Sequence, residues 1–495
     1  MVKNIYPEES QVLNQLFADR RPFLIVPLDF AKAEHTAQCC TRDGKYEWQK
    51  PLRVWNNVRG AEYLLSRVAG VCRKRRIKPE RTVYAGEDPA SYALAFVEEL
   101  QRRRALFVRV RAVEAAKRRQ SSRASSDNQD LDGIAHAVAD RFATDMEAPA
   151  GIYARLRLAF RARHRAAKLE VAVKNRIHQL VDRLFPCFLA PDKSGVLPFG
   201  PACLSLLREG LTPGKVLAMR PDRLAAWLKK RGVAKPEAAA GTLRALAGIT
   251  PLPDPALAAT VSVGLKAKVN LLLAVRADLA AEENEMARCL VQTPGALLTS
   301  IPGNGVTLIG GIIGELGDPH SWRSHGKMFS YAGCAQRQKQ TGGEDHPPVQ
   351  LGLPKACNHR LKDCLLQAAF HAGTTPHPAR RMAGDDGRHP LLNLWQRLAA
   401  RGGHTYLGTA RRWLRIMTAM VQEKRIYLPE WWCDPEHHPR PEPEHARAWL
   451  EAATAAMEQK WHGYDLDGIP DANNHLKQWR ATADELMRQL ASNPM

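Results

Sequence analysis

The sequence predicts an α/β domain followed by an all-α remainder. Three observations carry this. Between Phe23 and Val110, short apolar runs alternate with helical segments, which is the pattern of a layered sheet with some parallel pairing. Residues 151–184 and 261–290 carry apolar positions at helical steps. Finally, a Pro/Gly hairpin at Ile301-Pro302-Gly303-Asn304-Gly305 opens a further series of helical segments. The implied layout is a carboxylate-bearing domain over 1–150, a helical coiled-coil region over 151–290, a C-terminal domain over 291–430 and a helical extension over 431–495.

Bulk properties set limits. The chain has 495 residues, 45% of them hydrophobic, enough for several domains with sizeable cores. No apolar run approaches membrane-spanning length, and the N-terminal stretch lacks a signal-peptide core, so a soluble cytoplasmic protein is expected. Lys and Arg outnumber Asp and Glu by 72 to 51, giving a net charge of +21. An excess this large points to a polyanionic partner, most simply nucleic acid. Ten cysteines stand without CxxC pairs. The one cluster with histidine, Cys433, His437 and His438, lacks a second ligand pair, which argues against zinc.

In chain order, Phe23–Asp29 reads as a buried strand with Asp29 at its tip. His35–Cys40 and Tyr46–Val54 are suited to pair with it as hairpin strands, and 55–76 is helical, ending in Arg73-Lys74-Arg75-Arg76. Thr82–Glu87 is a second strand ending in an acid. Ser91–Arg104 is a helix and Leu106–Val110 a third strand. Ser126 or Asp127 caps a helix running to about Phe142. Asp127 and Asp130 share one face of that helix, while Asp132 points elsewhere. Acids at strand C-terminal ends lie where such sheets place their sites. Asp29, Glu87, Asp127 and Asp130 brought together would repel unless a cation offsets them. Hard oxygen ligands suit magnesium, and metal–carboxylate sites of this kind serve phosphoryl transfer.

The helical middle has a stripe at Leu169, Val173, Ile177, Leu180 and Leu184, and a second at Leu265, Val269, Leu272, Leu279, Met286 and Leu290. These two helices, separated by short helices broken by Pro and Gly, are suited to fold back as an antiparallel coiled coil or to pair between subunits. The arginines along the first serve either a solvated face or nucleic acid. After the hairpin, Gly310, Gly311 and Gly314 let a helix over 306–316 lie close to a neighbour. The hairpin suggests a helix-hairpin-helix whose exposed turn amides meet a phosphate. Further helices are expected over 355–373, 391–401 and 406–424, and two more in the tail, which shows no chemistry of its own. Gln340-Thr341-Gly342-Gly343 places a hydroxyl beside two flexible residues.

The order of these motifs resembles the DEDD transposases of bacterial insertion sequences (family one-ten), which include the Piv invertase and bridge-RNA-guided recombinases. The resemblance spans roughly residues 20–430. It is carried by Leu28-Asp29-Phe30-Ala31-Lys32, Ala85-Gly86-Glu87 and Ser126-Asp127-Asn128-Gln129-Asp130. In the C-terminal half it is carried by Ile301–Gly305, Gly314-Glu315-Leu316-Gly317-Asp318, Phe329-Ser330-Tyr331-Ala332-Gly333, Asn358 and Ala410–Leu414. It implies a RuvC-like ribonuclease-H domain, a dimerising helical middle and a helical transposase domain. It further implies Mg2+ on Asp29, Glu87, Asp127 and Asp130, and a C-terminal serine that forms a covalent link to DNA. Its members act on donor and target DNA as homodimers or homotetramers in the bacterial cytoplasm and nucleoid. Guided members use an RNA from the element's own flank, so that base pairing supplies specificity.

Where the family has its serine, this chain has Thr341. Threonine keeps the hydroxyl and adds a methyl that restricts its rotamers. Nearby, Cys334-Ala335-Gln336 replaces the family's Leu-Ala-Pro. Two other readings accompany the recombinase: a catalytically inactive nucleic-acid-binding relative, and a metal-dependent junction nuclease using the carboxylates and water alone.

Overall fold

A mixed sheet frames the N-terminal region of the computed structural model. The structure describes residues 10–19, 21–87, 90–119, 127–145, 151–301, 303–319, 322, 324–335, 338–339, 349–354, 357–374, 394, 397–401, 405–427 and 442–492. The strands are β1 (Leu24–Asp29), β2 (Glu34–Ala37), β3 (Cys40–Thr41), β4 (Leu52–Trp55), β5 (Thr82–Gly86), β6 (Leu106–Val110) and β7 (Ala143–Asp145). Their order is β4-β2-β1-β5-β6-β7, with β3 also pairing to β1. β1, β5 and β6 run parallel; β2, β3, β4 and β7 pair antiparallel.

Both faces of this sheet are covered, which is why β1 and β5 are near-continuous apolar runs. Alternate residues enter two cores. Phe23, Ile25, Val83, Ala85 and Val108 pack with Leu13 and Phe17 of α1 (Gln11–Ala18) and with Ile134 and Val138 of α5 (Asp127–Ala139). Leu24, Val26, Leu28, Tyr84 and Phe107 pack with Leu64 and Val68 of α2 (Val58–Arg75) and with Phe96, Val97 and Leu100 of α3 (Ala90–Arg102). α4 (Ala112–Lys117) lies against α5, where a Cβ on Gly133 would collide with the Ala115 carbonyl oxygen.

Two elements depart from the sequence expectation. The helix expected to reach Phe142 stops at Ala139, because Arg141 turns left-handed at φ 64 and Phe142 N–H closes back on the Ala137 carbonyl at 2.7 Å. That turn frees Ala143–Asp145 to become β7. Helix α1 was not expected; Ser10 caps it by accepting from Leu13 N–H at 3.0 Å and donates to Asp145.

The chain divides into two compact units. One comprises Met1–Arg157, Val291–Lys460 and Asp471–Met495; the other comprises Leu158–Leu290 and Trp461–Pro470. In the second, α6 (Ile152–Leu184) and α12 (Pro255–Leu290) are the long helices. Between them lie α7 (Pro191–Ser194), α8 (Pro201–Arg208), α9 (Pro213–Ala218), α10 (Pro221–Lys229) and α11 (Pro236–Ile249). Arg163 pairs with Glu283 at 2.9 Å and Glu170 with Arg276 at 3.1 Å. One number rises as the other falls, so the long helices pack antiparallel within the chain. Val173, Ile177, Val181 and Leu184 meet Val261, Leu265, Val269 and Leu272 in one core. The sequence suggests no run of spanning length, yet α12 is long and apolar enough to cross a membrane by those two measures. Its stripe instead fills a helical core.

In the first unit, α13 (Val306–Leu316) is almost wholly buried. A Cβ on Gly314 would come within 3.1 Å of the Arg157 backbone, and Arg157 donates from Nε to the Gly314 carbonyl at 2.7 Å. α14 (His325–Tyr331), α15 (His359–Thr374) and α16 (Thr405–Glu423) follow, with a two-strand ladder of β8 (Gln338–Lys339) and β9 (Val349–Gln350). On α15, Leu361, Cys364, Leu365 and Ala368 face inward and are buried.

The tail helices, α17 (Pro443–Trp461) and α18 (His475–Ser492), are tied to the hairpin region. Lys460 donates from Nζ to the carbonyls of Thr299 and Ile301 at 2.6 and 2.9 Å. Burial pushes its ammonium down from 10.5 to about 8. Between those two values the unfolded chain holds a proton that the folded chain has shed, so this lysine makes stability rise with pH across the window. Denaturant titrations from pH 8 to 10.5 are expected to widen the stability gap over Lys460→Met by about 3 kcal/mol. A gap independent of pH would rule this out.

Candidate functional site

The parallel β1–β5 pair sets the first two acids side by side. Leu28 is in register with Gly86, so Asp29 and Glu87 are the next residues at the strand tips. A side chain on Gly86 would come within 2.5 Å of the Phe30 ring, so glycine is what lets the strand end pass beneath Phe30. Asp29 and Glu87 are both half-buried.

The third acid comes from α5, which packs on β1 and β5. Asp130 and Glu87 both approach Nη2 of Arg119, at 2.8 and 3.8 Å. Burial raises the Glu87 proton affinity; Arg119 opposes the rise and Asp130 adds to it. That is the signature of two carboxylates held near one another in a partly dry place. Asp132 lies apart: burial raises its affinity too, but its charged neighbour is His136, which opposes the rise. The side chain of Asp127, at the first turn of α5, lies outside the described residues, as do Thr341, Cys433, His437 and His438. Among the described residues, no three His, Cys, Asp or Glu side chains form one metal-holding group. Glu87 and Asp130 are gathered on an arginine, Arg119, that carries no motif in the sequence.

The donor set nevertheless fits a hard cation. Asp130 Oδ1 is buried without a hydrogen bond, its contact to Arg119 being one of charge. Carboxylate oxygens at two strand tips and one helix face are the ligands that divalent, oxygen-seeking ions use.

A second polar cluster lies in the C-terminal half. Asn358 donates from Nδ2 to Glu315 Oε2 and to the Tyr331 hydroxyl, both at 3.0 Å. Its Oδ1 accepts from Leu361 N–H at 3.1 Å, capping α15, and its own N–H donates to the Tyr331 carbonyl at 3.0 Å. Glu315 is 1% exposed. Gly333 has φ 68, and a Cβ there would collide with Cys357. Three motif blocks distant in sequence, two preceding Thr341 and one following it, are thus joined.

The hairpin differs from expectation. The element before it is a 3-10 segment, Pro294–Ser300, following the end of α12. Asn304 is fully buried, its N–H donates to the Ile301 carbonyl at 3.2 Å, and neither side-chain polar atom has a partner. Its amide therefore closes the turn and does not point outward.

A DEDD-type model described as a transposase matches residues 26–186, and a second, described as Transposase IS116/IS110/IS902 family, matches residues 295–382. Together they cover half of the chain, and each contains one of the two clusters above. No curated protein matches the chain.

Proposed function

Because the chain belongs to the IS110 family of transposases and so acts on DNA as a transposase or recombinase, we propose that it cuts and rejoins DNA through a composite of carboxylates and a threonine hydroxyl. The observation that carries this is the shared approach of Glu87 and Asp130 to one cationic nitrogen, beside the strand tip that bears Asp29. In support, an antiparallel meander followed by parallel strands is the order of a RuvC-like ribonuclease-H sheet.

In this reading Asp29, Glu87, Asp127 and Asp130 hold magnesium. Bound there, it supplies positive charge to the phosphate oxygens that gain charge in the reaction. The strand tips fix two carboxylates on a rigid frame, and α5 brings the others over the same edge. Thr341 Oγ attacks phosphorus, a P–O bond to deoxyribose breaks, and the freed sugar hydroxyl takes up a proton. The phosphoester is conserved in the protein–DNA link, so a second strand's hydroxyl can rejoin it without an added energy source.

Two partner assignments accompany this. A second copy of the chain pairs on α12, where Val263, Leu271 and Leu273 remain exposed beside the buried stripe; the assembly is a homodimer or homotetramer. The +21 charge suits a nucleic-acid partner, and an RNA guide beside the DNA is what the family resemblance adds.

Purified protein incubated with its element ends and a target is expected to give a denaturant-resistant protein–DNA adduct. Thr341→Ala abolishes the adduct while DNA binding persists, and Thr341→Ser restores or raises it. An undiminished adduct in the Ala variant removes Thr341 from the mechanism. Free strand ends without any adduct, from the wild-type chain, identify the nuclease instead.

A further inference from the structure

We propose that Arg119 is a built-in counterion of the carboxylate site, holding Glu87 and Asp130 together until a divalent cation takes its place. This rests on the metal-site reading above and adds a residue to it.

Geometry distinguishes Arg119 from a permanent structural partner. A structural arginine in a half-buried ion pair uses its fork, with two N–H groups donating in parallel to one carboxylate. Here a single nitrogen, Nη2, stands 2.8 Å from Asp130 Oδ1 and 3.8 Å from Glu87 Oε1. Arg119 Nε is buried and unpartnered, and Asp130 Oδ1 accepts no hydrogen bond. The guanidinium thus supplies charge to two carboxylates while leaving hydrogen-bonding capacity unused on both sides. Such a contact forfeits little when it is exchanged for cation–oxygen bonds.

Burial makes a counterion necessary. The side chains of Arg119, Glu87 and Asp130 are 24%, 32% and 19% exposed. Two partly buried carboxylates brought this close repel unless a cation lies beside them. The local chain is built to deliver it. α4 ends at Lys117, and the arginine stem then crosses α5 at Gly133, where a Cβ would sit 3.2 Å from Arg119 Cγ. With glycine at that point the stem lies flat on the helix that carries Asp130.

The consequence is competition. A single positive charge is displaced by a double one, so the arginine lowers metal affinity while it stabilises the metal-free protein. The test uses the full chain with Mn2+ as probe, read as free ion by electron paramagnetic resonance, and thermal unfolding in EDTA. Arg119→Met is expected to bind Mn2+ about tenfold more tightly than wild type and to unfold at lower temperature in EDTA. The unfolding difference closes at saturating Mn2+. Arg119→Lys, which keeps a charge on a shorter reach, falls between the two and serves if the Met variant does not fold. Equal or weaker Mn2+ binding by both variants overturns the role of Arg119 while leaving the metal site standing. Absence of Mn2+ binding in wild type and variants alike overturns the metal site itself, and this proposal with it.

Discussion

Asp29→Asn is expected to lower recombination by roughly 10^3-fold or more while DNA binding holds. The substitution preserves shape and removes one negative charge and one hard oxygen donor at the tip of β1. That strand is central and buried, so its backbone barely responds to an isosteric change at the end. What changes is the charge beside Glu87, which follows the Leu28–Gly86 pair in the parallel register. A site that offsets charge on a phosphate in flight provides several kcal/mol, and each 1.4 kcal/mol is tenfold in rate. Asp132→Asn is the internal control. Asp132 is half-buried on the same helix as Asp130, with His136 as its charged neighbour. Its loss should leave the rate within about twofold, as for a substitution away from the chemistry. Recombination scored with element ends and a target plasmid, together with a gel-shift measurement, reads both variants. Equal losses at Asp29 and Asp132 would sink the assignment.

How much of this was legible beforehand depends on the range of the signal. Asp29 and Glu87 were readable because a buried parallel strand writes itself as an apolar run, and a polar residue ending it marks the tip. The stripes of α6 and α12 were readable for a similar reason, since one face repeats every few residues; only Leu169, expected on the α6 stripe, falls outside it and is exposed. Their antiparallel pairing within the chain was one of two open readings, and the ion pairs that decide it join Arg163 to Glu283 and Glu170 to Arg276 across the whole insert. Arg119 carried no mark in the sequence; nothing local distinguishes an arginine that turns toward Glu87 from the exposed Lys117 two residues earlier. Asn304 reads as a turn asparagine, and turns are usually wet. Its complete burial comes from packing that the pentapeptide does not encode. The tail had no motif to read, and its tie to the hairpin rests on Lys460 reaching two carbonyls some 160 residues earlier.

Asn358 should be the most costly single polar residue to lose in the C-terminal half. Its side chain bonds Glu315, Tyr331 and the first turn of α15 at once. Asn358→Ala removes a helix cap, worth about 1 kcal/mol. It also withdraws a donor from a carboxylate that is 1% exposed, and stranding a buried polar group costs roughly 1–3 kcal/mol. The two together give about 2–4 kcal/mol. Asn358→Asp separates the contributions. It keeps the cap oxygen but replaces the donating Nδ2 with an acceptor facing Glu315, so it should be at least as destabilising at neutral pH and recover on acidification, when one carboxyl takes a proton and donates to the other. A chain of two units need not unfold in one step, so the reading should be local. Amide exchange at Tyr331 and Leu361 is expected to quicken in both variants while exchange in β5 and β6 is unchanged. If the Ala and Asp variants exchange as slowly as wild type, the three motif blocks are held by packing and Asn358 is incidental. If exchange quickens and the protein–DNA adduct falls with it, the network is what presents the Thr341 segment to the DNA.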